Sequence, residues 1–211
     1  FRGSVVIGVL ELHNKRDEEG FTADDVRLCE AILDQAAVAL DNAILEILKD
    51  GQVVHSIEND ATNGYLHGAF TLVDQGKSVI TGGNDGTLIE YDSQTGKFAG
   101  AFLGGHTGEI HAMATLEKAG LLVTGSADQT LRLWNLETRE LIVSMYFDDR
   151  DWVAWMPQGY YYASDNGDER FGWHVNQGPD REGRFVRAGQ LKTFLWSPEM
   201  VRRAIILKSA R

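Results

Sequence analysis

An internal repeat constrains this chain more than any other feature. Val79 to Asp92 aligns without a gap on Leu122 to Asn135, an offset of 43 residues. Thr81-Gly82 falls on Thr124-Gly125, Asp85 on Asp128, Thr87-Leu88 on Thr130-Leu131 and Tyr91 on Trp134. A third, weaker copy runs from Gly159 to His174. From Gly51 onward, short runs of β-branched and aromatic residues alternate with Gly, Asn and Asp clusters, the pattern of short strands joined by turns. One such unit cannot bury its own apolar surface, so a repeat of this kind stacks its copies side by side.

Repeats of about 40–45 residues built from four strands are the pattern of propeller blades. The second copy resembles a blade of the WD-repeat family. It has Gly105-His106 ahead of the innermost strand, Thr124-Gly125-Ser126 and Asp128 around the next turn, and Trp134-Asn135 closing the third strand. The resemblance implies a structural hydrogen-bond chain through His106, Ser126, Asp128 and Trp134, because buried polar groups must be paired. The first copy has Asn63 or Thr62 in the place of the histidine and Tyr91 in that of the tryptophan, and the third has Asp149 near the histidine position. Complete wiring is expected in the middle blade alone. About three four-stranded antiparallel blades over residues 52–176 do not close a ring of four to eight. The expectation is a propeller completed by an oligomer or by a longer parent chain. Asp151 to Tyr161 and Gly172 to Asn176 are similar to the segment that ends WD-repeat regions in bacterial multidomain proteins, a likeness covering about residues 145–206. Some of those proteins carry a caspase-like peptidase, whose Cys/His pair is absent here.

The first fifty residues follow another rhythm. Ser4 to Leu12 is apolar and β-branched, as a strand is, and from Thr22 the residues Val26, Cys29, Ile32, Ala36, Leu40, Ile44 and Ile47 recur every three or four positions. This predicts a helix over 22–49, N-capped by Thr22 and stopped at Asp50-Gly51. Gly8 to Leu12 with Asn14-Lys15, then Phe21 to Asp25 and Gln35 to Ala43, resemble the last strand and final helix of a GAF domain. Val26 stands where cyclic-nucleotide-binding members carry Glu, so no cyclic nucleotide is expected. The predicted fold is therefore mainly β with an N-terminal α/β element. Its parts are a partial GAF domain at 1–50, WD-type blades at 51–190, and a basic C-terminal helix and tail at 191–211. In that tail Ser197 is the predicted N-cap and Pro198 the first helical residue.

Net charge is −11, and residues 177–211 hold eight Lys/Arg against three Asp/Glu, which leaves −16 on residues 1–176. Such a body repels phosphate backbones and anionic lipid, so neither nucleic acid nor a membrane is the expected partner. Cys29 is the only cysteine, which removes disulfides and Cys-based zinc sites and suits a cytoplasmic setting. His106 near Asp128 could be a metal ligand or base, but repeat spacing favours the structural role. His67 and His111 occupy similar places in successive innermost strands with no third ligand beside them, so no metal and no cofactor are expected. Trp152, Trp155, Trp173 and Trp196 with Tyr160 to Tyr162 fit blade-to-blade packing better than a sugar or peptide platform. Propellers recognise partners at the loops entering the innermost strands, which nominates Glu109, His111, Ala127, Trp152 and Ala154. The function implied is a non-catalytic protein-interaction scaffold in a bacterial signalling protein. The alternative is a sensor segment of a larger cyclase, kinase or caspase-like peptidase.

Overall fold

The computed structural model describes residues 37–41, 44–49, 51–58, 65–178 and 181–211. The strand expected at 4–12, the first part of the expected helix, Thr22 and Cys29 lie outside them. The end of that helix is corrected. Ala37–Asp41 (β1) and Ile44–Lys49 (β2) are strands, joined by Gln52–Glu58 (β3) into an antiparallel sheet of order β1-β2-β3. Ile44 and Ile47 satisfied a helical spacing, yet the fully buried residues of β2 are Leu45 and Ile47, two apart as a strand requires. Lys49 and Gln52 pair directly, so the chain reverses between them, and Gly51 has φ 73°. Asp-Gly between paired apolar runs is a hairpin signal as well as a helix stop, and the pairing of β2 with β3 decides for the hairpin. The described residues 37–41 and 44–49 therefore form no GAF-type final helix, and the β2–β3 pairing crosses the expected boundary at 50/51.

Two larger sheets follow. His67–Val73 (β4), Ser78–Gly83 (β5), Leu88–Asp92 (β6) and Phe98–Ala101 (β7) form a four-stranded antiparallel blade in sequence order. Ile110–Leu116 (β8), Leu121–Ser126 (β9), Thr130–Asn135 (β10) and Leu141–Asp148 (β11) form a second. That second sheet does not stop at four. Asp151–Trp155 (β12) and Tyr161–Ala163 (β13) continue it to six strands.

The third blade expected from the sequence is thus absent as a separate sheet, and loop length is the reason. Between β7 and β8 the chain has residues 102–109 in which to leave one sheet's outer edge and begin the next sheet at its inner edge. Between β11 and β12 it has only Asp149-Arg150, with Asp148 pairing Asp151 and Asp149 at φ 53°. A two-residue turn can only fold the strand back beside itself. The residues of the third copy are split between β13, a 3₁₀ turn at Gly167–Glu169 and Gly172–Val175 (β14), which pairs with Arg184–Arg187 (β15) instead. Among the described residues the array is therefore a three-stranded sheet, a four-stranded blade and a six-stranded blade.

Apolar faces decide how these pack. Ile80, Leu88, Ile110, Leu122 and Trp134 are fully buried between the two blades, with Phe102 edge-on to Trp134 at 5.9 Å. On its other face the first blade meets β2 through Leu45, Ile47, Val79 and Tyr91. The far face of the second blade exposes Leu121, Leu133, Ile142, Val143, Ala154 and Met156 to the C-terminal segment. After a single turn at Lys192–Leu195 (α1), the helix Pro198–Leu207 (α2) lies there with Val201 and Ala204 buried. Ser197 caps it by accepting from the Met200 N–H, and Lys208 ends it at φ 54°. Asn135 Nδ2 donates to the Lys208 carbonyl at 2.8 Å, and the Ser197 N–H donates to the Tyr161 carbonyl at 2.8 Å. This second bond occupies the free edge of β13. Both halves of α2 are thereby tied to the sheet.

If α2 is the cover of that face, its two sides must respond differently to a charge. Val201→Asp should lower unfolding stability by about 3 kcal/mol or more, through an unpaired buried carboxylate. Ile206→Asp, on the exposed side, should stay within about 0.5 kcal/mol. Urea melts of the two variants check this.

Candidate functional site

His106 sits in the connection that enters the second blade, 5% exposed. Its Nδ1 lies 2.9 Å from Asp128 Oδ2 and its Nε2 2.7 Å from Thr124 Oγ1, while Trp134 Nε1 donates to the same Thr124 oxygen at 2.8 Å. A carboxylate can only accept here, so the proton is on Nδ1, and Nε2 accepts from the Thr124 hydroxyl. The donors then run in one direction: indole to threonine, threonine to imidazole, imidazole to carboxylate. Asp128 also accepts from Thr107 N–H at 3.0 Å and, through its other oxygen, from Thr130 N–H at 3.0 Å and Thr130 Oγ1 at 2.6 Å. Burial pushes the Asp128 carboxyl up, but the Thr130, Thr107 and His106 bonds outweigh it and hold the group well below the usual carboxylate range. Burial likewise depresses the His106 imidazole, against the pull of Asp128.

The hydroxyl in this chain belongs to Thr124, where Ser126 was expected. Ser126 Oγ instead donates to the Gly108 carbonyl at 2.9 Å and accepts from Asp128 N–H at 3.1 Å, which fastens the turn. A signal was present in the sequence, because Thr81 and Thr124 are identical in the two copies whereas Ser126 faces Gly83. Arg132 had no sequence signal. It donates to the carbonyls of Gly104 and Gly105 at 2.6 and 2.8 Å and lies 3.5 Å from Asp128. The His106 backbone is held as well, its N–H donating to the Gly86 carbonyl at 2.9 Å. Gly86 has φ 83°, and a Cβ there would sit 2.1 Å from the His106 carbonyl oxygen, so the turn of one blade can seat on the next only as glycine.

The first blade solves the same problem with other residues. Tyr65 Oη reaches Thr81 Oγ1 at 2.9 Å, taking the part of the absent histidine, and its ring fills the space that a Cβ on Gly83 would need. Asp85 still accepts from Thr87 N–H at 2.8 Å, as Asp128 does from Thr130. His67 stands apart: it is 3% exposed, edge-on to Tyr65 at 5.1 Å and Tyr91 at 6.1 Å, and neither ring nitrogen has a hydrogen-bond partner among the described residues. Burial lowers its pKa to about 4. The repeat puts Ile110 at the equivalent place in the second blade, and His67 behaves as an apolar filler. It does not join His111, which is exposed.

The nominated binding residues fall into two places. Glu109, His111 and Ala127 are exposed together at the mouth of the second blade, where Ala127 N–H donates to the Glu109 carbonyl at 2.8 Å. Trp152 and Ala154 do not join them. They lie on β12, four strands away from β8, or about 19 Å at ordinary strand spacing. Ala154 is 7% exposed beneath α2, and Trp152 packs edge-on against Tyr162 at 4.8 Å. Their nomination assumed that β12 is an innermost strand, which the short turn before it prevents. The other aromatics also pack on one another, with Trp155, Tyr161, Phe171 and Trp173 in one cluster. Among the described residues no group of three or more His, Cys, Asp or Glu is placed to hold a metal ion.

Residues 98–135 match the family model "WD domain, G-beta repeat". The chain carries a WD40 repeat domain. The matched repeat begins at β7 and ends at β10, so the WD40 sequence unit is offset by one strand from the hydrogen-bonded blade. Its first strand closes the sheet before it, and this links neighbouring blades covalently and by hydrogen bonds at once. Over 141 residues the chain is 27% identical to the guanine nucleotide-binding protein subunit beta of Zea mays, covering 63% of this chain and 37% of that protein. Over 70 residues it is 39% identical to THO complex subunit 6 of Homo sapiens, covering 33% of this chain and 20% of that protein. The chain thus spans just over a third of the length of the first of these relatives. Among solved structures, U3-55K aligns with TM-score 0.49 and 14% identity over 63% of this chain and 46% of its own.

Two outcomes separate the roles in this WD40 domain. Thr124→Val strands the Trp134 indole and His106 Nε2 and should cost about 2–4 kcal/mol, against about 1 kcal/mol for Ser126→Ala, measured by chemical denaturation. The native state accommodates His67 as the neutral ring, so between its ordinary value of 6.5 and about 4 the unfolded chain binds more protons. Stability should therefore fall as pH drops through that window, with His106 contributing in the same direction. His67→Leu should flatten the slope in melts taken across it.

Proposed function

We propose that this WD40 domain is a protein-interaction platform whose contact surface is the rim formed by Glu109, His111 and Ala127. WD40 domains are typically scaffolds for protein binding and are generally non-catalytic. The observation that carries the reading is a division of labour at the mouth of the second blade. The buried polar groups His106, Thr124, Asp128 and Trp134 are consumed by one another, so they hold geometry and offer nothing to a substrate. Glu109 and His111 beside them project from backbone fixed by that network and by the Ala127–Glu109 bond. Glu109 also leans over the first blade, its Oε1 3.4 Å from where a Cβ on Gly68 would stand, so the rim draws on both blades. Side chains presented on rigid backbone lose little entropy when a partner docks. Trp152 and Ala154 are no part of this surface.

The partner is a protein that meets this rim. Affinity capture with Glu109→Lys/His111→Ala, compared with Glu137→Lys on an exposed turn at the opposite end of the blade, tests the assignment. The rim variant should lose its captured proteins at unchanged melting temperature. Equal capture by both variants would remove the rim from consideration.

A further inference from the structure

At the end of the first blade opposite the rim, a cavity of about 420 Å³ opens between the β2–β3 hairpin and the turns of the blade. One wall is Ile47 to Lys49 with Val54 and His55; the other is Gln75 to Lys77 with Ser93 and Gln94. Three features set it apart. The charged side chains of its described lining are lysines, Lys49 from the hairpin and Lys77 from the β4–β5 turn, in a chain whose net charge is −11. Ser93 is 8% exposed, and its hydroxyl has no hydrogen-bond partner among the described residues, an uncommon state for a buried polar group. The two walls are pinned together, because His55 Nε2 donates to the Gln94 carbonyl at 2.6 Å and the ring packs against Gly96. The cavity is therefore built into the sheet-to-blade junction.

We propose that this cavity binds the phosphate of a small phosphorylated ligand. Lys49 and Lys77 approach the dianion from opposite walls, and the Ser93 hydroxyl, turned inward and closed to solvent in this structure, donates to one of its oxygens after rotating about χ1. Charge-assisted hydrogen bonds from two ammonium groups suit a doubly charged oxyanion better than a single carboxylate. Lys77 is paired with Asp74 at 3.1 Å, but both side chains are more than 60% exposed, and such surface pairs contribute little, so the ammonium can be redirected at small cost. The volume lies within the range of small-molecule pockets and leaves room for a sugar-sized body beyond the phosphate.

Isothermal titration of the whole chain with inorganic phosphate, ribose 5-phosphate and ribose tests this. Both phosphates should bind saturably, ribose 5-phosphate at least as tightly as phosphate alone, and ribose should not bind. Lys49→Gln and Lys77→Gln should each weaken phosphate about tenfold, and Ser93→Ala severalfold, with unchanged urea melts. Absence of saturable phosphate binding overturns the proposal. Binding that persists unaltered in both lysine variants means an adventitious ion only, and overturns it equally.

Discussion

A β-sheet that is apolar on both faces must be covered on both, and every large feature of this molecule answers that demand. The first blade is covered by the β1–β3 sheet on one side and by the second blade on the other. Among the described residues no third blade lies beyond the second, and α2 occupies that position, with Val201 and Ala204 in one cluster with Ile142 and Val143. A helix can take the place of a sheet because one apolar stripe suffices to exclude water from the strands it crosses. An ordinary blade could pack on that face only by displacing α2.

Strand exchange and polar wiring then hold the stack in register. The matched repeat lends its first strand, β7, to the sheet before it, so the two blades are joined through residues 102–109 as well as by an apolar interface. The seat of Gly86 on the His106 carbonyl adds a contact that no side chain could occupy, and Arg139 Nε reaches across to Glu90 Oε2 at 2.8 Å. Within the second blade the one-directional chain from Trp134 to Asp128 satisfies each buried group in turn. The first blade reaches a comparable end with Tyr65 and Thr81, which shows that a paired threonine hydroxyl, rather than a particular partner, is the common requirement.

How much of this was legible depended on whether the deciding signal was local. The two blades, the His106–Asp128 contact and the capped C-terminal helix follow from residue types at short spacing: strand runs between turn residues, Asp two positions before a threonine, Ser-Pro ahead of an apolar stripe. Thr124 was legible from identity between the copies, although Ser126 has the same chemistry two residues away. The period of Ala36 to Ile47 misled because short apolar runs fit both a helix and a strand, and the arbiter was the Asp50-Gly51 turn that follows. The third copy misled because its residue types resemble a blade, while the loop before it is too short to begin one.

By itself, then, the sequence determined that four-stranded units repeat here, that one of them carries a buried polar chain, and that the chain ends in a helix with one apolar face. Those properties reside in turns, caps and alternation, which act over a few residues. Only the tertiary structure decided that β12 folds back onto the second blade, that α2 covers the face a further blade would need, and that Glu109 and His111 are separated from Trp152. Those outcomes depend on which apolar face finds which neighbour, and that is a contest among segments far apart in the chain. Its result is set by the length of the connections and the area each packing removes from water.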